Sequence, residues 1–199
     1  MPNESSGCTR TWAVTVLLLL TAAFPARAGT VTGAVKVASA TEAERTLVYV
    51  ENVPPGSFSA PTAVPHLSQK GSTFRPALLA VVKGTQVDMM NDDWVAHNVF
   101  SKSEAKPFDL GLYAQDTQKL VTFDKVGVVQ VFCSIHPRMN AVVVVLQNPF
   151  FAKPDRDGRF SIAGVPAGTH QLKVFRQGAP PQVKTVTVPA TGSVDVQFP

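Results

Sequence analysis

Apolar positions along this chain come in short runs rich in β-branched residues, separated by Gly, Pro and polar clusters. The runs are Val31–Val37, Thr46–Val53, Phe74–Val82, Thr85–Asn91, Lys119–Asp124, Val128–Phe132, Ala141–Leu146, Val183–Val188 and Val194–Phe198. Each has the length of a strand, and none repeats with the period of an amphipathic helix. Residues 66–70 can add a further strand, Lys83-Gly84 reads as a turn, and residues 41–45 read as polar connection. Residues 101–118 are polar and poorly periodic, with Pro107 and Gly111 inside them. Asp157-Gly158 is a hairpin signal ahead of Phe160. The pattern predicts an all-β protein built as a sandwich.

The breaks between runs divide the chain. Arg10, the apolar stretch from Trp12 to Phe24 and Ala26-Arg27-Ala28 have the order of an export signal with an A-x-A cleavage site. That stretch is too short for a membrane span, so residues 1–28 are assigned to a signal peptide and the mature chain to Gly29 onward. Pro54, Pro55, Gly56, Pro61 and Pro65 mark a linker. Asn148-Pro149 ends the next segment. The resulting units are 29–58, 62–148 and 149–199. The last is short for an independent sandwich, and the 29–58 strands are expected to pair with it, leaving 62–148 as an insertion. The alternative places residues 31–53 on the sheet of the middle unit.

Composition adds two constraints. Removal of residues 1–28 leaves sixteen Lys and Arg against thirteen Asp and Glu, a net charge of +3. So mild a charge does not imply nucleic acid; it favours at most an acidic partner. The same cleavage leaves Cys133 as the one cysteine. An unpaired thiol in an exported protein requires an explanation, and metal ligation supplies one.

Cys133, His136 and Met139 follow at steps of three in the loop after Val131-Phe132. A short loop that curls over a small ion can point each of these side chains inward. Thiolate, imidazole and a weak thioether suit copper, which cycles between a soft and a harder state. His97, in Trp94-Val95-Ala96-His97-Asn98, is the best candidate for a fourth ligand. A metal-free core loop and a zinc site are the competing readings, and thioether is a poor zinc ligand. His66 and His170 read as non-ligands, and Asp155-x-Asp157-Gly158 as a turn rather than a calcium loop.

The stretch from about 64 to 147 resembles the type 1 copper proteins, the cupredoxins, and among them the amicyanin- and plastocyanin-like members. The resemblance is carried by Phe74-Arg75-Pro76, Gly84-Thr85-Gln86-Val87, Asn91, His97-Asn98, Phe123, Gly127-Val128 and the Cys133 loop. Ala141 departs from it, standing where many members have Gly. The resemblance implies a Greek-key β-sandwich with one type 1 copper, held by His97, Cys133 and His136 in a plane with Met139 as a long axial ligand. Residues 155–175, with Asp157-Gly158-x-Phe160-x-Ile162-x-x-Val165-Pro166-x-Gly168, are similar to carboxypeptidase regulatory-like, transthyretin-like sandwiches. The Val31–Val53 strands resemble the opening of that same fold.

Four protein ligands leave no position for substrate, and no Ser/His/Asp set, acid pair or phosphate loop points to an enzyme. The expected function is a periplasmic one-electron carrier, a monomer without a stable membrane span. Its partner is a redox protein such as a c-type cytochrome or a dehydrogenase, and the amicyanin resemblance implies methylamine utilization as one setting. A copper carrier or store, and an interaction module with a structural copper, are the alternatives. His136 lies mid-loop, so an exit patch for the electron is expected from Ile135, Pro137 and Trp94, with Arg138 at the rim. Asn98 is expected to tie the His97 strand to backbone beside Cys133.

Overall fold

The computed structural model describes residues 27–54, 58 and 61–199. The export signal expected over 1–28 falls almost wholly outside the described residues. Two strands come first, β1 (Ala28–Val35) and β2 (Thr46–Glu51). Between them, where polar connection was expected, stands one turn of helix, α1 (Ala40–Glu44). Its cause is local: Ser39 Oγ accepts from the Glu42 N–H, and the Glu42 carboxylate accepts from the Ala38 N–H. That is a capping-box spacing, Ser-x-x-Glu.

The middle of the chain supplies β3 (Ser68–Gln69), β4 (Phe74–Arg75), β5 (Leu78–Val82), β6 (Thr85–Asp88) and β7 (His97–Ser101). It continues with β8 (Phe108–Tyr113), β9 (Leu120–Phe123), β10 (Gly127–Phe132) and β11 (Asn140–Leu146). Five of these form one sheet in the order β5-β11-β10-β7-β8, while β6 pairs with β9 and β3 with β4. The run 74–82 is two strands, broken at Pro76, which has no N–H to give a ladder. The polar stretch 101–118 contains β8, an edge strand whose one fully buried residue is Tyr113.

The chain ends with β12 (Phe151–Ala152), β13 (Arg159–Pro166), β14 (Gly168–Arg176), β15 (Gln182–Val188) and β16 (Ser193–Phe198). They form two sheets together with the N-terminal strands, β13-β1-β16 and β12-β2-β14-β15. Val48 lies opposite Val174, and Tyr49 opposite Lys173. The Asp157-Gly158 turn closes through Gly158 N–H to Asp155 C=O, but its flanking strands β12 and β13 are not ladder partners. Asp155 Oδ1 accepts from the Asp157 and Arg159 N–H groups, so this carboxylate holds a turn.

Strand β11 explains its own sequence. Ala141, Val143 and Val145 face a core with Val99, Phe123, Val131 and Cys133. Val142, Val144 and Leu146 face Leu47 and Leu78 on the other side. Successive strand residues point to opposite faces, so a strand covered on both reads as an unbroken apolar run. The same strand thus borders the core beneath the Cys133 loop and a second core reaching β2.

Candidate metal centre

Two chain segments meet at the end of the five-stranded sheet. His97 opens β7, and Cys133 follows β10; the two strands are ladder neighbours through Phe100 and Phe132. The connection from β10 to β11 is closed by its own backbone. Cys133 N–H donates to Met139 C=O at 3.2 Å, and Met139 N–H donates to His136 C=O at 2.8 Å. The loop thereby returns to its starting point within seven residues. His97, Cys133 and Met139 are 0%, 4% and 1% exposed, and His136 is half-buried.

Three donor atoms from these segments converge. Cys133 Sγ lies 3.7 Å from His97 Nδ1 and 3.8 Å from His136 Nδ1, and the two Nδ1 atoms are 3.1 Å apart. A triangle with these sides has a centre about 2.1 Å from every corner, close to the ~2.0–2.1 Å metal–nitrogen and ~2.3 Å metal–sulfur bonds of a borderline metal. The side chains therefore stand already spaced for one ion between them. Two imidazoles and a thiol suit copper, and the loop's Met139 backbone is tied directly to Cys133.

The choice of His97 Nδ1 has a visible cause. His97 Nε2 lies 3.0 Å from Asp93 Oδ2, and a carboxylate only accepts, so Nε2 carries the proton. With the proton on Nε2, the Nδ1 lone pair faces Cys133 and His136. Asp93 is itself fixed. Its Oδ2 also accepts from Ser72 N–H at 2.7 Å, and its Oδ1 accepts from Trp94 N–H at 3.0 Å. The Ser72 bond first, and the His97 contact as well, hold the Asp93 carboxyl below the usual carboxylate range against its burial. Asn91 pins the rest of the segment: Oδ1 accepts from Asp93 N–H, and Nδ2 donates to Val95 C=O and Tyr113 C=O. Sequence reading missed Asp93; the signal was a carboxylate four residues before a candidate ligand.

Beneath the site, Tyr113 lies opposite His97 in the sheet. Its hydroxyl donates to Met89 C=O at 2.7 Å and accepts from Gln69 Nε2 at 2.5 Å. Burial pushes the phenol well above its ordinary pKa, so it stays a donor.

Asn98 does not make the bridge expected of its side chain. Its Nδ2 donates to Asp109 Oδ1 at 2.7 Å, and its Oδ1 has no partner among the described residues. Asn98 stands opposite Leu112 in the β7–β8 ladder, and its amide meets Asp109 of the same neighbouring strand. The other two histidines stand apart. Exposed His66 has its Nδ1 2.7 Å from Oδ2 of buried Asp88, and His170 Nε2 is 2.8 Å from Pro166 C=O in the C-terminal sheets.

Around half-buried His136, Ile135 is 51% exposed, and Pro137 and Arg138 are exposed. Trp94, in the segment that carries Asp93, is 83% exposed. Leu112, also exposed, is one residue from Tyr113 and was not singled out in the sequence.

No protein-family model matches the chain, and no curated protein does. Solved structures do. A purple cupredoxin from Nitrosopumilus maritimus is 26% identical over 41% of this chain and 99% of its own, with a TM-score of 0.38. A copper-containing nitrite reductase from Thermus scotoductus is 24% identical over 47% of this chain but only 25% of its own, with a TM-score of 0.41. Amicyanin from Paracoccus versutus is 22% identical over 50% of this chain and 97% of its own, with a TM-score of 0.39. Likeness at this level says nothing by itself of what the chain does, and the case for a metal rests on the three donor atoms. The structural neighbours of this all-β chain are cupredoxins, and its own two imidazoles and thiol converge on one point that suits copper.

Proposed function

We propose that this protein is a type 1 copper protein that carries single electrons. His97 Nδ1, His136 Nδ1 and the Cys133 thiolate would hold the ion, with the Met139 thioether as a fourth, weaker ligand. The observation that carries this reading is the triangle of donor atoms, whose centre lies about 2.1 Å from all three. Copper bound there supplies a one-electron change between Cu(I) and Cu(II). The chain supplies rigidity. His97 is fixed by Asp93, the Cys133 loop is closed by its backbone, and β7 and β10 are ladder neighbours. Ligands that cannot move far between two oxidation states favour fast exchange. His136 is the one half-buried member of the set, so the electron leaves through its edge, within Ile135, Pro137 and Trp94, with Arg138 at the rim.

The organisation we propose has an export signal over 1–28, a copper unit over 62–148, and one sandwich made from 29–58 and 149–199. The ladders of β1 with β13 and β16, and of β2 with β14, support the last point. The setting is the periplasm, and the partner is a redox protein such as a c-type cytochrome or a dehydrogenase. Among the described residues no helix is long and apolar enough to cross a membrane.

The test is to load the metal-free protein with Cu(II). One equivalent should produce an intense visible thiolate-to-copper band that bleaches on reduction and returns on oxidation without loss of metal. Copper taken up with no such band overturns the site. Copper released on each reduction overturns the carrier role in favour of a copper-delivery or storage protein.

A further inference from the structure

The exposed residues near His136 belong to the function already proposed, which used the buried carboxylate behind His97 only as an anchor for the ring. We infer that Asp93 is a positioning residue for the metal centre, which selects the His97 tautomer and biases the bound copper toward its higher charge. Three observations carry this. Asp93 is 3% exposed, so its charge is poorly screened. Its Oδ2 lies 3.0 Å from His97 Nε2, on the side of the ring away from the donor triangle. Its carboxylate is held by two backbone N–H groups from separate segments, Ser72 and Trp94, so it cannot swing away.

Two consequences follow from the charge and the hydrogen bond. An imidazole whose Nε2–H donates to a carboxylate is a better donor at Nδ1 than one that donates to a neutral acceptor. A fixed negative charge behind that ring favours Cu(II) over Cu(I), so it lowers the reduction potential. The ring stands with Nε2 against Asp93 and Nδ1 toward Cys133 and His136, so it need not turn to offer Nδ1 to an ion. The second consequence rests on the copper reading above; the first does not.

The experiment has a metal-free arm and a copper arm. In the metal-free protein, nitrogen NMR on the His97 ring, read where both imidazoles are neutral, should find the proton on Nε2. The Asp93→Asn variant should show a mixture of tautomers, and Asp93→Glu should restore the Nε2–H form. In the copper arm, Asp93→Asn should lower Cu(II) affinity by roughly tenfold to a hundredfold and Cu(I) affinity by less. Each tenfold difference between the two raises the potential by about 59 mV for a one-electron couple. Asp93→Glu should recover most of that shift. A proton on Nδ1 of His97 in the wild-type protein overturns the inference, as does a potential that is unchanged in a folded Asp93→Asn protein. Should Asp93→Asn not fold, the wild-type tautomer and the Asp93→Glu potential decide it. Failure of the wild-type protein to take up copper overturns the proposed function, and leaves the tautomer measurement to judge Asp93.

Discussion

Gly33 of β1 and Val196 of β16 lie so close that a Cβ at position 33 would fall 1.9 Å from the Val196 carbonyl oxygen. The two residues are ladder partners from opposite ends of the chain. Backbone cannot yield to such a contact as a flexible side chain can, so an added methyl must push β1 and β16 apart. Gly33→Ala should therefore destabilise the protein by about 1–3 kcal/mol, the usual cost of overpacking, read as a lower urea midpoint. An unchanged midpoint would mean that the first and last strands are not in this contact.

Leu47 tests the opposite side of β11. It is buried in a cluster with Leu78, Val142, Val144 and Leu146. Leu47→Ala leaves a cavity there and should cost about 2–5 kcal/mol. The inward residues Val143 and Val145 are not part of that cluster, so the copper spectrum of the folded variant should be unaltered. A variant of wild-type stability would show that Leu47 is not packed in that cluster.

Two corners of the donor triangle were legible in the sequence because they are local. Cys133 and His136 share one loop with Met139, and their spacing survives any detail of the fold. His97 needed the flanking residues. Asp93 was not legible, because a carboxylate four residues before a histidine is common, and here its direction is set by Ser72 from a distant segment. Strand β8 was hidden for a different reason: an edge strand carries polar residues outward, and Gly111 interrupts its pattern. The partner of Asn98 could not be read either. Its amide meets Asp109 on β8, a strand that was itself not legible in the sequence.

Cys133 and Met139 should separate the colour of the site from its potential. Cys133→Ser removes the thiolate and should abolish the visible charge-transfer band; a variant that stays intensely coloured would exclude Cys133 as ligand. Met139→Gln should keep copper and lower the potential, since an oxygen donor is harder than a thioether and favours Cu(II). An unchanged potential would place Met139 outside the coordination sphere, with its backbone bonds to Cys133 and His136 as its whole role.

Electron exit is open to a test that leaves the metal untouched. His97 and Cys133 are buried, whereas His136 is half-buried between Ile135 and Pro137. A partner that approaches His136 must therefore cover Ile135, half of whose surface is free. Transient redox complexes need only a small contact, so one charge placed within it should be felt. Ile135→Lys should slow exchange with the physiological partner while the spectrum and potential stay close to wild type. Arg138 is exposed two residues past His136, where its charge would act at longer range. Arg138→Glu should change mainly the ionic-strength dependence of the rate, because a rim charge steers encounter more than it holds the complex. The two effects should add, since one acts on the bound complex and the other on its approach. If both variants exchange electrons at the wild-type rate at every salt concentration, the electron does not leave by the His136 face.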